Sequence, residues 1–381
     1  MENMAQQAPL STSLSVANDA TCVLTLASGF RNCGGTTPDT FALDPNLRVG
    51  YAQTWQLSAQ RDLPGAMVAT ATYLGTKGTH GMQEFLPNTN PIGAANACPS
   101  CPAGFVYRTS NGNSTREAAH LQLRRRLRSG LAASVDYTWA KAIDNDAQLG
   151  AQGHVTATSE SGSGSQSSSG QSTGLQSTSE TGKMSGPAIA QDWRDLRAER
   201  GLSTFNQRHL LKAQIQYTTG MGIGGGTLLS GWRGRLVKEW TAMTQISAGT
   251  GLPETPIYLA TVPGTGVTGT IRPDLTGARI ASARAGYFLN VAAFSAPAPG
   301  QWGTSRRNSV TGPDQFSLDT SMSRTFRLRP PFNLDVRMDA TNILNHAAFT
   351  GWNTIVNSTT FGLPAGTNPM RSLQITGRLR F

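Results

Sequence analysis

The chain carries four cysteines, the side chains best suited to metal binding or redox chemistry, in two closely spaced pairs. Cys98 and Cys101 have the two-residue separation of zinc ligands and of thioredoxin-like redox centres. A zinc site needs a second ligand pair, and none of the five histidines lies close in sequence; a redox centre needs a βαβ context that is missing. We therefore expect two loop disulfides in an oxidising compartment, formed by Cys22, Cys33, Cys98 and Cys101 with their connectivity open.

Two glycine-containing motifs have the spacing of active-site signatures but stand in the wrong context. Segment 170–174 has the G-x-S-x-G spacing of a nucleophile elbow, which requires a sharp strand-to-helix turn. It lies within the Ser-, Gly-, Thr- and Gln-rich stretch 156–186, where such spacings arise by chance. Segment 220–225 has the G-x-G-x-x-G spacing of a dinucleotide-binding loop, but a strand rather than a helix is expected after it. We predict a flexible turn there.

A third candidate for chemistry is the charged segment 192–200. Its carboxylates Asp192, Asp195 and Glu199 could supply a general acid and base. The interleaved arginines favour instead a solvated loop helix with ion pairs at i,i+3 spacing. The sequence thus predicts no catalytic, cofactor-binding or metal-binding residues, and we do not expect an enzyme.

Composition excludes several classes of protein. Only 38% of the residues are hydrophobic and 14% charged, below the roughly 45–50% and 25% of soluble globular domains. Such a chain has little material for a core, whereas a membrane barrel needs apolar residues only on its lipid-facing surface. The sequence has no run of about 18 apolar residues that would form a transmembrane helix. The net charge of +10 comes mostly from arginines spaced two apart in strand-like segments, so nucleic acid is not the expected partner.

The clearest structural signal is strict alternation near the C-terminus. In segment 372–381 apolar side chains recur at every second position and end on the aromatic Phe381, and segment 332–341 alternates likewise. This two-residue period predicts β-strands with one apolar and one polar face. Antiparallel pairing would bring two carboxylates of the earlier strand near two arginines of the last, for about 0.2–1 kcal/mol per pair. The charged residues concerned are Asp335, Asp339, Arg378 and Arg380.

Other strand-like segments each reach the ~9–11 residues that a tilted membrane strand requires. They are approximately 48–62, 66–76, 116–128, 131–143, 207–219, 233–248 and 315–328. Tight turns and long links alternate between the strands along the whole chain. Outer-membrane barrels show this asymmetry, with short periplasmic turns and long extracellular loops. The expected fold class is all-β, an antiparallel transmembrane β-barrel of which the chain supplies about nine strands.

The alternation of tight turns and long links also predicts which parts of the chain lie on each side of a bacterial outer membrane. We expect residues 1–47 to be an extracellular loop remnant and 48–381 the C-terminal part of the barrel, with a low-complexity extracellular loop at about 144–206. Tryptophans and tyrosines could form girdles where the strands meet the lipid headgroups. The polar strand face would line the lumen, mainly as structural charge ladders. Its charged members are Arg124, Arg126, Asp335, Arg337, Asp339, Arg378 and Arg380.

Several short segments of the chain occur in the same order as in a known protein family, and the order is more specific than any one segment. The segments are 51–63 (YAQTWQLSAQRDL), 73–79 (YLGTKGT), 113–145 (containing LQLRRRLRSGLAASVDYTWAKAIDN), 201–211 (GLSTFNQRHLL), 272–275, 287–294, 307–309, 332–346 and 379–381. Together they resemble the barrel of TonB-dependent outer-membrane receptors. The resemblance is to the Oar-like type of Acidobacteria, which carries a carboxypeptidase-regulatory-like domain. It covers roughly residues 40–381.

The resemblance implies active uptake of a large solute, such as a siderophore, glycan or peptide, through a plugged barrel of about 22 strands. It implies the TonB complex as energising partner of the full-length parent, and the barrel assembly machinery as reader of the terminal Phe381. No plug, coupling box or signal peptide is recognisable, so we expect a fragment of such a transporter. The alternatives are a passive outer-membrane pore and a structural or adhesive surface β-protein.

Overall fold

The chain is seen in a computed structural model that describes residues 41–87, 89–99, 106–145, 190–221, 231–232, 237–264, 268–328 and 332–380. These residues form mostly β-strands and their connections, with one turn of 3-10 helix at Val291–Ala293. In chain order the strands are β1 (Phe41–Leu43), β2 (Tyr51–Leu63), β3 (Met67–Phe85), β4 (Val106–Arg128), β5 (Leu131–Asp144), β6 (Gly201–Leu202), β7 (His209–Thr218), β8 (Thr241–Gly249), β9 (Pro253–Glu254), β10 (Tyr258–Thr261), β11 (Thr268–Ile271), β12 (Asp274–Leu275), β13 (Phe294–Ser295), β14 (Val310–Thr311), β15 (Gln315–Arg327), β16 (Asn333–Thr341), β17 (Phe349–Trp352), β18 (Pro364–Thr367) and β19 (Ser372–Arg380).

One large antiparallel sheet contains every long strand, in the order β19-β16-β15-β8-β7-β5-β4-β3-β2. Each long strand therefore pairs with its neighbour in the chain, which confirms the predicted all-β fold and its nine strands. Two short strands, β1 and β6, add to β4 and β5. Among the described residues the sheet ends at β2 and β19 and does not close into a barrel.

The apolar side chains of these strands share one face of the sheet. Cross-strand pairs such as Leu121 with Tyr137 and Met338 with Ile375 carry the pattern from strand to strand. Many of them are exposed, with Leu121 at 52% and Ile375 at 75%. Leaving apolar area in water is unfavourable by about 25 cal/mol per Å². Such a face is stable when hydrocarbon covers it.

One position on this face must be glycine, because the side chain of Trp55 lies directly against its backbone. Trp55 of β2 lies directly opposite Gly75 of β3, and its indole covers the glycine. A Cβ atom at position 75 would lie 2.1 Å from the ring, so any larger residue would displace the tryptophan. An aromatic ring over a strand glycine shields the backbone and pins the register of the pair.

The hydrophobic core lies outside the large sheet, in the long connections. Its members are Leu289, Ala293, Phe294, Val310, Val356 and Phe361. They come from the links that follow β8 and β16, and short strand pairs such as β9 with β14 and β17 with β18 organise these links. We call the described residues within 190–203, 250–314 and 342–371 the loop cap. It sits at the long-loop end of the sheet, opposite the tight-turn end where β2 meets β3 and β4 meets β5.

Several predicted boundaries differ from the observed ones. Strand β3 continues to Phe85 and β4 already begins at Val106, well beyond the predicted 66–76 and 116–128. The polar extensions lack apolar alternation, but their backbones pair all the way to Phe85–Tyr107. Of the strand predicted at 233–248, residues 233–236 lie outside the described residues, and the prediction was wrong for 237–240, because β8 begins only at Thr241.

Some predictions fall outside the described residues, namely the 170–174 motif, most of the 220–225 turn, Cys22, Cys33, Cys101 and Phe381. In the part of the chain that the structure describes, no helix is long and apolar enough to span a membrane.

Candidate functional site

The polar face of the sheet carries a charge ladder toward the tight-turn end. Asp335 accepts hydrogen bonds from Arg380 (Nε to Oδ2, 2.7 Å) and from the hydroxyl of Thr325 (2.6 Å). This cross-strand ion pair was predicted from alternation. Asp339 differs, because Gln374 is its partner across the strand, and it accepts instead from Arg337 of its own strand at 2.8 Å. These side chains are solvent-accessible, so solvent screens the attraction within each pair.

The remaining predicted lumen residues lie on the same face. Arg124 is opposite Ser134 of β5, and Arg378 is opposite Asp335. Arg126 approaches Asp62 of β2 at 3.9 Å. The register thus gathers all seven predicted charges on the face away from the apolar stripe. Their contact with a lumen or a solute stays a prediction.

A buried ion pair joins two distant segments of the loop cap. The Nη1 and Nη2 atoms of Arg272 each donate to one carboxylate oxygen of Glu199, both at 2.8 Å. The two side chains are only 8% and 3% exposed. Gln191 reinforces the pair, since its backbone N–H donates to Glu199 (3.0 Å) and its side-chain oxygen accepts from the Arg272 N–H (2.7 Å). A two-pronged arginine–carboxylate contact fixes orientation as well as charge.

A second buried pair ties the cap to the sheet. Arg307 contacts the carboxylate of Asp144 at the end of β5, and it also donates to the Asp144 carbonyl at 2.8 Å. Its Nε donates to the Glu199 carbonyl at 3.1 Å. Removing one partner of such a pair leaves an uncompensated buried charge, which costs about 3–5 kcal/mol. The two pairs together, the arginine junction, are therefore a rigid support for the cap.

The arginine junction corrects one prediction. Segment 192–200 forms consecutive turns rather than a solvated helix. Glu199 is 2% exposed and pairs with an arginine 73 residues away, not with its i,i+3 neighbours. Local spacing gave no sign of this. The sequence did offer one indication that these arginines matter: Arg272 and Arg307 are the first residues of two segments, 272–275 and 307–309, in the series that resembles TonB-dependent receptors.

A half-buried carboxyl joins the links that follow β8 and β16. Glu254 of β9 accepts hydrogen bonds from the Trp352 N–H at 3.1 and 3.2 Å, and it lies against Gly312 and Gly351. A Cβ atom at Gly351 would lie 2.7 Å from Glu254 Oε1, so the glycine gives the carboxyl its space. Burial raises the pKa of the Glu254 carboxyl to about 7, against a smaller lowering by the Trp352 hydrogen bond. This contact, the Glu254 latch, titrates near neutrality.

The cap also presents an aromatic platform, formed by Phe288, Phe349 and Trp352. Phe288 stacks on Trp352 with ring centroids 4.1 Å apart, and Phe349 stands 5.7 Å from Phe288. Phe288 is 45% exposed. Beside it, the Arg284 guanidinium lies 3.7 Å from the Tyr287 ring centroid. The platform offers flat apolar rings with a cation nearby, a surface suited to binding.

Among the predicted disulfide cysteines, Cys98 is disulfide-bonded. The other three lie outside the described residues, so their participation in disulfides stays a prediction. Among the residues described, no group of three or more His, Cys, Asp or Glu side chains could hold a metal ion.

The sequence and structure of the chain were compared with those of known proteins. A family model described as "Outer membrane beta barrel domain" matches residues 1–374. No curated protein sequence matches the chain. Similar solved structures include the outer membrane transporter YddB from Escherichia coli (8% identity, TM-score 0.45, 87% of this chain and 32% of that one). Others are FpvA of P. aeruginosa bound to pyoverdines (10%, 0.42, 87% and 27%) and the FrpB iron transporter from Neisseria meningitidis (10%, 0.39, 89% and 33%).

The chain spans about a third or less of the length of these proteins. The family match, in contrast, extends over nearly the whole chain. It agrees with an antiparallel sheet of nine long strands that carries an apolar face. The chain therefore belongs to the outer membrane beta barrel domain family, and its location is the outer membrane.

Proposed function

We propose that this chain is the C-terminal barrel portion of a TonB-dependent transporter of the Oar-like type, which takes up a large solute such as a siderophore, glycan or peptide. The observation that carries the proposal is the division of the sheet into one apolar and one polar face, with the described residues of the long links folded into a cap at one end. A passive scaffold has no need of a rigid cap with a binding surface.

The edges of the sheet support a larger barrel. Open strand edges are not tolerated in lipid, because each unpaired backbone group there costs several kcal/mol. Consecutive strands are antiparallel, so the first and last strands of the nine, β2 and β19, run in the same direction. Two copies joined β19 to β2 would therefore meet in parallel. Antiparallel closure needs an odd number of further strands, as a longer parent barrel would supply.

The orientation follows from the connections. We infer that the tight-turn end is periplasmic and the loop cap extracellular, because outer-membrane barrels have short periplasmic turns and long outer loops. The disulfide-bonded Cys98 lies in the long link between β3 and β4, which this orientation puts on the extracellular side. On this basis 1–47 is a loop remnant, 48–381 the barrel part, and about 144–206 an extracellular loop.

The aromatic platform is the proposed point of solute capture. Its rings and the neighbouring Arg284 could stack on a flat or polarised solute and attract anionic groups. The arginine junction would hold the platform in place during binding. The TonB complex would act on the full-length parent, and the barrel assembly machinery would recognise Phe381. No catalytic step is assigned to any residue.

Uptake and conductance measurements together test the proposal. In the source bacterium, removal of the locus should abolish uptake of one member of a panel of ferric siderophores, oligosaccharides and oligopeptides, and an uncoupler should abolish the same uptake in the parent strain. The purified chain should partition into detergent and give no steady channel in planar bilayers. Uncoupler-resistant uptake with steady conductance would show a passive pore instead, and an aqueous monomer would exclude both.

A further inference from the structure

The apolar face of the sheet is interrupted by arginines near its tight-turn end. The register places them in line with lipid-facing neighbours rather than with the polar ladder. They are Arg61 of β2, Arg125 of β4 and Arg324 of β15. Arginines at the edge of a hydrocarbon layer keep their head groups at the level of the lipid phosphates.

Arg324 differs from the other two because aromatic rings hold it. Its guanidinium lies 4.6 Å from the Phe326 ring centroid and 5.6 Å from that of Trp240. Arg61 and Arg125 have no ion pair or ring contact within the described part of the chain. The Arg125 Nε is buried and lacks a hydrogen-bond acceptor there. Two cationic groups on the lipid side are thus left for an anion.

A hollow of about 650 Å³ opens on the same face beside Arg61, and its wall residue Leu123 lies two residues before Arg125 on β4. Small side chains make its floor, since Ala59 pairs with Ala71 across β2 and β3. Leu121 and Leu123 of β4 form its wall, and Tyr137 and Val135 of β5 continue that wall. Arg61 borders the hollow at its tight-turn end. The hollow is apolar along its length and cationic at one end.

The two arginines are close enough to serve one anionic group. Arg61 lies opposite Ala69, which lies opposite Leu123, and Arg125 is the next residue on that face of β4. Two strand spacings and two residues of rise separate their Cα atoms by roughly 12 Å. Long arginine side chains on both flanks can close on a phosphate between them, and arginine is well suited to phosphate oxygens.

We propose that this hollow is a phospholipid site, in which one acyl chain lies along the alanine floor and the phosphate is held between Arg61 and Arg125. The proposal rests on the proposed orientation, which puts the tight-turn end in the periplasmic leaflet. Charge complementarity selects the occupant. A neutral partner would leave both guanidiniums uncompensated beside hydrocarbon, whereas a phospholipid supplies an apolar chain and an anionic phosphate at the matching depth.

Native mass spectrometry of the full chain, released from neutral detergent micelles after titration with phosphatidylglycerol, tests the site. The wild-type chain should retain one phosphatidylglycerol molecule. R61Q/R125Q should weaken retention about 30-fold, from roughly fivefold for each cation near an anionic headgroup. A71W should abolish retention, because its indole would fill the hollow.

Two matched variants control for general effects. R324Q removes an arginine from the same face and the same end, and T320W adds an indole to the same face, three strands beyond the β5 wall of the hollow. Both should bind phosphatidylglycerol as the wild type does. Equal loss in R324Q and R61Q/R125Q, or full retention by A71W, would overturn the site and indicate annular lipid only.

Insertion into bilayers, followed by heat-modifiable migration and far-UV circular dichroism, separates the two proposals. A chain that inserts but shows no difference among the variants refutes the lipid site alone. A chain that does not insert refutes the transporter proposal and the lipid site together.

Discussion

The Glu254 latch should weaken as pH rises. Its carboxyl has a pKa of about 7 in the folded cap against an ordinary value of 4.5, so the closed cap binds a proton more tightly than the opened one. Between these values the closed state holds more protons, and stability falls as pH increases. The stabilisation is complete below about pH 4.5 and is lost as the pH passes 7.

The magnitude follows from the two pKa values. At about 1.4 kcal/mol per pH unit, the difference between 4.5 and about 7 amounts to at most about 3 kcal/mol of cap stability. Partial solvent access and the two Trp352 hydrogen bonds reduce this, so we expect about 1–3 kcal/mol between pH 5 and pH 8. Local opening of the cap should increase by a factor of about 5 to 150 over this range.

Hydrogen exchange at the Trp352 amide measures this opening directly, because that N–H is the donor to Glu254. After correction for intrinsic exchange, protection should fall from pH 5 to pH 8 in the wild-type chain. E254Q should show a flat profile, since its amide accepts the same hydrogen bonds without titrating. E239Q, which alters a glutamate near the tight-turn end, should keep the wild-type slope. Protection that rises with pH, or an E254Q slope equal to that of the wild type, would refute the reasoning.

Further predictions concern the arginine junction and the apolar face. R272M should destabilise the cap by about 3–5 kcal/mol, because Glu199 would stay buried and charged, and R272M/E199M should recover most of that loss; protease nicking of the cap measures both, and no recovery in the double variant would contradict the account. I375K should destabilise the chain folded into lipid vesicles, reducing its free energy of unfolding by up to about 2–4 kcal/mol. Q374K, on the polar face, should change the same free energy by less than about 0.5 kcal/mol, and equal effects of the two substitutions would contradict the face assignment.

The large sheet could be predicted from sequence because its determinants are local. Alternation in the last strand and in β16 fixed both faces and the Asp335–Arg380 contact, since strand side chains alternate with a period of two. The tight turns then made each strand the neighbour of the next. Strand ends were less accessible, because the polar outer parts of β3 and β4 pair through backbone groups that leave no apolar pattern.

The loop cap could not be predicted in the same way. The Arg272–Glu199 and Arg307–Asp144 contacts join residues 73 and 163 positions apart. No local period reports such pairing, and the charge density around Glu199 pointed wrongly to a helix. The Glu254 latch depends on two glycines from different links that leave space for one carboxyl. Such sites depend on packing between distant segments, which composition and spacing do not encode.

The central claim is that the apolar face of the sheet lies in hydrocarbon while the opposite face stays wet. Nitroxide labels placed one at a time along Ser372–Arg380 in bilayers test it most directly. The account predicts oxygen accessibility peaking at Leu373, Ile375 and Leu379, with accessibility to a water-soluble nickel complex peaking at the residues between them. Uniform accessibility to the nickel complex along the strand, without a two-residue period, would contradict it.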